Sequence, residues 1–424
     1  MKKVVPKSTV ISTINIALIK YWGKLTQASN ISINSSLSLT LDTSHLVTVS
    51  ALTEKSRPNN GKTEFKLLSA KGEVISEQLP AKFEFCQQFF ARYKTMNGVA
   101  QKNLLIQSQN CFPTAAGMAS SASGFSALVM LMAYDAKVFS DFYPVFEDKR
   151  EHIFKFFKEK NDKEILKAFA LSKLARILSA SSSRSLFPGL VFLEGANFEP
   201  RLIPSSLTSL FPYIHLKDAL SEYDSLFPDF EGSDQDYSLR TARKFDLSTE
   251  FGELNNSCIA YPLFQSPQIN DFVKSLSILI IVVDESKKKL SSRKGMIQTV
   301  ETSTSFPQRV KQINKRTFKI LEAMASHDMK TFAEVMIEDS DDFHFSCATS
   351  EPSIVYLNDL SERIKSEVRK FNLEGECVGY TFDAGPNPFI IGSKKRVAQF
   401  KEHLKETLQI EESKLLVSGV LSFD

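Results

Sequence analysis

Cysteine is scarce in this 424-residue chain. There are five, Cys86, Cys111, Cys258, Cys347 and Cys377, and none pair as Cys-x-x-Cys. An odd number without that spacing gives no disulfide framework and no structural zinc site, so all five read as reduced thiols. Excess charge is also missing: 52 Lys and Arg face 49 Asp and Glu, a formal +3. Such a balance gives no global electrostatic reason for nucleic acid or an anionic membrane as partner, so any anion site must be local. Long apolar runs are absent. The most apolar stretch, Ser277 to Val283, is far too short to span a bilayer, and its β-branched residues predict a buried strand. The opening Met-Lys-Lys-Val-Val-Pro-Lys lacks the apolar core of a signal peptide, and the expected location is the cytoplasm.

What the chain does have is phenylalanine, 34 of them against a single Trp, which predicts a Phe-rich core. Its length suits two domains, or one with large insertions. Residues 8 to 52 alternate like strands, and Lys71-Gly72 marks a hairpin turn. Helical spacing appears over Lys82 to Tyr93, over Gly117 to Ala133, in two stretches between Glu147 and Ala180, over Gln308 to Ser326, Lys330 to Ile337, Ser353 to Phe371, and Lys395 to Gln409. Strands are predicted at Leu104 to Ser108, Phe187 to Leu193, Gly379 to Phe382 and Pro388 to Ile391. The pattern is α+β, not a βαβ repeat. Residues 196 to 270 are irregular and predict an insertion carrying short helices.

Five segments can carry chemistry. Pro113 to Ala122 is a loop of small residues and hydroxyls where a helix begins. Backbone N–H groups there attract anions, although small residues equally suit close helix packing. It is not a Walker A loop, for it lacks Gly-Lys-Ser/Thr. Asn15 to Lys24 sets Lys20 in apolar sequence, where a desolvated ammonium needs a carboxylate or an anionic ligand unless it snorkels to water. Ser179 to Ser185 gathers five hydroxyls around Arg184, which either grips an oxyanion or sits in a Ser-rich linker. Leu290 to Met296 offers Ser292 and Arg293 to a phosphate. Thr381 to Asn387 carries Asp383 into a Gly-Pro turn, where Asp is usually a turn former.

Taken in order, these segments are specific. Asn15-Ile-Ala-Leu-Ile-Lys-Tyr-Trp-Gly-Lys24, Ile33-Asn-Ser-Ser-Leu-Ser38, Phe112-Pro-Thr-Ala-Ala-Gly-Met-Ala-Ser-Ser-Ala122, Ser183-Arg-Ser-Leu-Phe187 and Tyr380-Thr-Phe-Asp-Ala-Gly-Pro-Asn387 together resemble the mevalonate diphosphate decarboxylases of the GHMP kinase superfamily. The resemblance implies a two-domain α+β fold. Residues 1–200 would form an ATP-binding domain like ribosomal protein S5 domain 2. Residues 201–424 would form a ferredoxin-like domain with an insertion near 200–270. It implies ATP and Mg2+, mevalonate 5-diphosphate as substrate, a homodimer, and decarboxylation to isopentenyl diphosphate. Asp383, Lys20 and Arg184 match the catalytic set. Asn15, Tyr21, Lys24, Ser179, Ser181, Ser292 and Arg293, with Arg184, match substrate contacts. Ala116, Gly117, Ala119, Ser120 and Ser121 match the ATP loop, with Ser121 as the metal-ligand candidate.

Departures from the family pattern cluster on substrate phosphate contacts. After Trp-Gly the family's Lys-Arg-Asp is Lys24-Leu-Thr here, its Pro is Ser32, and its Gly-Ser-Gly-Ser-Ala-Cys-Arg is Leu178-Ser-Ala-Ser-Ser-Ser-Arg184. Its Gly-Gly after that segment is Pro188-Gly189, and an arginine before the ATP loop is replaced by Lys82 or lost. Three rivals stand beside the main reading. They are a kinase that phosphorylates a mevalonate-like 3-hydroxyl and stops, a decarboxylase acting on a monophosphate or bisphosphate, and a non-catalytic homologue.

Overall fold

The computed structural model of the protein describes residues 8–55, 63–111, 120–139, 157–227, 235–247, 257–264, 266–284 and 290–421. Three sheets organise the described residues. The first contains β1 (Ser8–Thr13), β4 (Val47–Glu54), β7 (Leu104–Asn110), β5 (Thr63–Leu68) and β6 (Val74–Ser76) in that spatial order. The expected turn at Lys71-Gly72 joins β5 to β6, with Gly72 at φ +83°, a conformation that glycine adopts without strain. The second sheet runs β2 (Asn15–Ile19), β3 (Ser36–Thr40), β8 (Leu190–Leu193) and β9 (Ala260–Pro262). The third is β11 (Gly379–Phe382), β12 (Pro388–Ser393), β10 (Leu276–Ile281) and β13 (Leu415–Ser418), wholly antiparallel.

β10 shows why this third sheet forms. All six of its residues are buried. Ile278 and Ile280 enter the large core shared with the first half, while Leu279 and Ile281 enter a separate core on the opposite face. A strand buried on both faces is mostly apolar, as the sequence there is apart from Ser277.

Helices cover the sheets. In chain order they are α1 (Phe83–Met96), α2 (Ser120–Asp135), α3 (Asp162–Leu178), α4 (Ala180–Arg184), α5 (Gln235–Lys244), α6 (Pro267–Ser275), α7 (Ser292–Thr302), α8 (Phe306–Ala325), α9 (Met329–Ala348), α10 (Asp359–Phe371) and α11 (Lys394–Leu408). Three differ from the sequence expectation. α9 runs eleven residues past Ile337, through Glu338-Asp-Ser-Asp-Asp342, because Asp339 is not solvated there: it forms a buried ion pair with Arg309 of α8 at 2.9 Å. α10 starts later than Ser353, at a capping box in which Asn358 and Ser361 each satisfy the other's backbone N–H. The Ser-rich segment is not a linker but the short helix α4. Of the two helices expected between Glu147 and Ala180, the first overlaps residues outside those described.

The irregular stretch from Phe198 to Phe227 folds as four 3-10 turns that bury Leu207, Leu210, Phe211, Tyr213, Leu216 and Leu220. Two lysines fasten it. Lys217 pairs with the buried Glu194, which also accepts a hydrogen bond from Tyr261 at 2.8 Å. Lys173 of α3 pairs with Asp224 at 2.8 Å and lies over the Phe227 ring at 4.1 Å. The chain then returns to the first half, since β9 pairs with β8.

Burial pulls the Lys173 pKa down to about 8, against the opposing pull of Asp224. A lysine depressed in the folded state costs stability below pH 8. That cost is relieved as pH rises toward the unfolded value of about 10.4. Urea unfolding of wild type and Lys173→Met at pH 7.5 and pH 9.5 reads this directly. Relative to the variant, wild type is expected to gain up to about 1.4 kcal/mol per pH unit between those values. Parallel pH profiles would contradict the assignment.

Candidate active site

The strand β2 ends at Ile19, and the chain leaves the sheet at Lys20 into a cavity of about 300 Å³. Lys20, Tyr21 and Lys24 line it from this segment, Ser179, Ser181 and Arg184 from the α3–α4 corner, and Asp383 from the loop after β11. Ser292 and Arg293 line it from the first turn of α7, and Ser121 from the first turn of α2. Residues more than 350 positions apart in sequence thus meet in one cleft.

Lys20 Nζ donates to Asp383 Oδ1 at 2.8 Å; the lysine side chain is 3% exposed and the aspartate 26%. The expected desolvated lysine therefore has its carboxylate, and the carboxylate keeps an open face. Burial lowers the Lys20 pKa, while the charge and hydrogen bond of Asp383 oppose that shift. The Lys20 backbone is fixed as firmly as its side chain. Its N–H donates to Asp339 at 2.7 Å, and its carbonyl accepts from Asn34 at 2.9 Å and Arg309 at 3.3 Å. On the other side, Thr381 donates to the Ala17 carbonyl at 3.2 Å and the Phe382 N–H donates to Ser340 at 3.1 Å, clamping β11 against β2 and α9. Asn387 holds the end of the turn by accepting from the N–H groups of Val283 and Asp284.

Arg184 is buried at the end of α4 and donates to the Ser36 hydroxyl. Its Nε has no partner among the described residues, so this guanidinium keeps donor capacity for a ligand. Burial lowers its pKa to about 10, opposed by Asp383 and Tyr21, so it remains a cation at neutral pH. Asn15 does not line the cavity. It lies beneath α4, donating to the Ser181 carbonyl at 2.9 Å and the Ser185 hydroxyl at 2.8 Å. The Ser179 and Ser181 hydroxyls are 3.0 Å apart.

Of the residues expected in an ATP loop, Ala116, Gly117 and Ala119 lie outside the described residues, and Ser120 is placed as the first residue of α2. Ser121 faces two spaces. Beside the main cavity lies a second groove of about 290 Å³, lined by Ser121 together with Phe65, Leu67, Pro80, Phe125 and Leu128 among others.

Sequence reasoning missed several residues. Asn30 lines the cavity, and nothing in its local sequence marked it. Lys82, raised only as a stand-in for an arginine, does line the cavity, and its Nζ donates to the carbonyls of Gln27 and Ala28 at 3.0 Å each. Arg309 and Asp339 give no motif signal at all, yet they carry the Lys20 backbone. His344 packs edge-on to Phe382 at 6.0 Å between ring centroids. Burial chiefly, then Lys20 and Lys365, push its pKa down to about 3, so the ring is neutral beside the Lys20–Asp383 pair.

A cleft with Lys20, Lys24, Lys82, Arg184 and Arg293 around a single carboxylate among the described residues, reached by two helix N-termini, defines an enzyme for a small, multiply charged anion. The chain belongs to the diphosphomevalonate decarboxylase family. Residues 12–141 match the diphosphomevalonate decarboxylase-like N-terminal domain, and residues 278–419 match the mevalonate 5-diphosphate decarboxylase C-terminal domain. The chain is 30% identical over 388 residues to a diphosphomevalonate decarboxylase of Candida albicans, covering 90% of this chain and 83% of that one. It is 29% identical over 387 residues to the Saccharomyces cerevisiae diphosphomevalonate decarboxylase, covering 90% and 76%. Its fold is similar to the crystal structure of mevalonate diphosphate decarboxylase from Staphylococcus aureus, with a TM-score of 0.67 at 24% identity, covering 98% of this chain and 96% of that one. A structure named as MDDEF in complex with MVAPP, AMPPCP and magnesium gives a TM-score of 0.66 at 23% identity, covering 98% and 96%. The α+β fold expected from the sequence is thus the fold of this family.

Proposed function

We propose that the protein uses ATP and Mg2+ to convert mevalonate 5-diphosphate to isopentenyl diphosphate, releasing ADP, phosphate and CO2. The observation that carries this reading is the Lys20–Asp383 pair at 2.8 Å, with Arg184 on the same cavity wall. The family relation supports the substrate.

A tertiary alcohol is a poor nucleophile. The open face of Asp383 orients the 3-hydroxyl and takes its proton as the oxygen bonds to the γ-phosphorus of ATP and ADP leaves. Lys20 holds Asp383 in place. Arg184, with donor capacity to spare, grips the substrate carboxylate. When the 3-phosphate departs, positive charge grows at C3. The C–CO2 bond then breaks, and its electron pair becomes the new double bond. Asp383 stabilises the cation as it forms. The sequence resemblance implies that the diphosphate end meets Tyr21, Lys24, Ser179, Ser181, Ser292 and Arg293, and the reading is supported by all six lining the cavity. Asn15 supports this wall from behind.

The second groove has the apolar lining that suits the adenosine of ATP, and Ser121 lies between it and the main cavity. Among the described residues no group of three or more His, Cys, Asp or Glu is placed to hold a metal. The Ser121 hydroxyl fits Mg2+ as one ligand, with substrate phosphates as the others, and the ion when bound neutralises phosphate charge. We also infer a homodimer in the cytoplasm, and an N-terminal unit of residues 1–200 followed by a C-terminal unit of 201–424 whose insertion near 200–270 returns to the first unit at β9. Among the described residues no helix is long and apolar enough to cross a membrane.

The deciding assay supplies ATP, Mg2+ and mevalonate, its 5-phosphate or its 5-diphosphate, and measures CO2 and ADP separately. Equal release of both from the 5-diphosphate is expected. ADP without CO2 from every substrate would replace this reading with a kinase.

A further inference from the structure

The segment from Lys24 to Ser32 closes on itself as a small hairpin. Lys24 and Ser32 form a bridge, the Leu25 N–H donates to the Ile31 carbonyl at 2.8 Å, and the Ile31 N–H donates to Thr26 Oγ1 at 3.0 Å. Its turn depends on Asn30, which sits at φ +53°, a left-handed conformation that asparagine tolerates better than most residues. Asn30 is 1% exposed and lines the cavity.

Its side chain makes three hydrogen bonds, and they fix which way the amide points. Nδ2 donates to the carbonyls of Arg176 at 3.0 Å and Ile177 at 2.7 Å, near the end of α3. Oδ1 accepts from Lys24 Nζ at 2.6 Å. Those carbonyls belong to the last turn of a helix, where intrahelical donors run out. They are also held from behind, because the buried Arg176 guanidinium donates to Ser29 and Cys258 carbonyls. The amide therefore hangs from a rigid helix end and presents one oxygen to one ammonium.

We propose that Asn30 is the positioning residue for Lys24, setting the lysine where the substrate's terminal phosphates bind. An unheld lysine, among the side chains with the most rotamer freedom, loses that freedom when it grips a ligand. Asn30 removes most of that loss in advance, so its effect belongs to ground-state binding of the phosphate end and not to chemistry at Asp383. The proposal rests on the decarboxylase reading for the substrate's identity, but not for its physics.

The test is a double-mutant cycle on Asn30→Gly, Lys24→Met and their combination. Glycine accepts the left-handed backbone without strain. Asn30→Asp is the second variant; it keeps the shape but has no amide donors. Each is measured for KM of mevalonate 5-diphosphate, KM of ATP and kcat, and by calorimetric titration with inorganic pyrophosphate, which works without turnover. Asn30→Gly and Asn30→Asp are expected to raise substrate KM about tenfold and weaken pyrophosphate at least threefold, with ATP KM and kcat within threefold of wild type. The double variant is expected to be no worse than Lys24→Met. Additive losses, a kcat loss at unchanged substrate KM, or pyrophosphate binding within twofold of wild type in both Asn30 variants would overturn the proposal. An absence of CO2 from wild type would instead sink the decarboxylase reading and leave the pyrophosphate cycle valid.

Discussion

Asp383→Asn is expected to lower kcat by about 10³-fold or more, within or above the 10²–10⁴ that a positioned general base contributes. The amide keeps the shape of the carboxylate and can still accept from Lys20 Nζ, which sits 2.8 Å away. It cannot take the proton of a tertiary alcohol, and as a neutral amide it stabilises a developing cation poorly. ATP affinity is expected to stay within a few-fold of wild type, because the groove beside Ser121 does not include residue 383. The two measurements belong together: single-turnover kinetics for the chemical step and equilibrium titration for the nucleotide. An Asp383→Asn protein with a tenth of wild-type turnover would remove Asp383 from the mechanism. An inactive one that no longer binds ATP would move it from chemistry to architecture.

Arg309→Leu is expected to destabilise the fold by about 3–5 kcal/mol, the usual cost of stranding a buried charge. Arg309 and Asp339 are both fully buried, and their ion pair is 2.9 Å long. Leucine leaves the Asp339 carboxylate in the core with only the more distant Arg316 cation, at 3.7 Å, and the Lys20 carbonyl loses a donor. The pair as a unit is another matter. A well-packed apolar replacement of both partners is often neutral, so Arg309→Leu/Asp339→Leu is expected to recover much of the stability lost by Arg309→Leu alone. It is not expected to recover activity, because Asp339 also accepts the Lys20 N–H at 2.7 Å. Urea unfolding and kcat together separate these effects. Equal stabilities for wild type and Arg309→Leu would show that the pair is not the support described here.

These two sites differ in how far the sequence disclosed them. Lys20, Arg184 and Asp383 sit in segments whose order carries a family resemblance, and the structure brings all three to one cavity. Local chemistry alone would have left Asp383 a turn former, since only the fold places Lys20 beside it. Arg309 and Asp339 carried no signal. An arginine on an amphipathic helix reads as a solvated residue, and an Asp in Glu-Asp-Ser-Asp-Asp reads as the end of a helix. Their pairing is a tertiary fact that overrides local propensity. Asn30 was hidden for a related reason: its three partners are six residues away on one side and about 146 on the other. Strand positions were clearer, because β10 is apolar on both faces apart from Ser277, and burial in β4 and β7 alternates along the strand. The irregular stretch after Phe198 offered only its Pro and Ser content, and 3-10 turns have no longer period to detect.

That stretch has a practical consequence for anyone wishing to trim the protein. Removing the turns between Pro200 and Leu226 looks like pruning a decoration, but it would take Lys217 from Glu194 and Asp224 from Lys173. Glu194 is buried, and burial already raises its pKa despite Lys217. Cut free, it becomes a stranded acid directly after β8, the strand that flanks β3 and, through Ser36, Arg184. A miniaturised version would be weakened from underneath its own catalytic floor. The better place to shorten this enzyme is wherever the chain carries no buried charge.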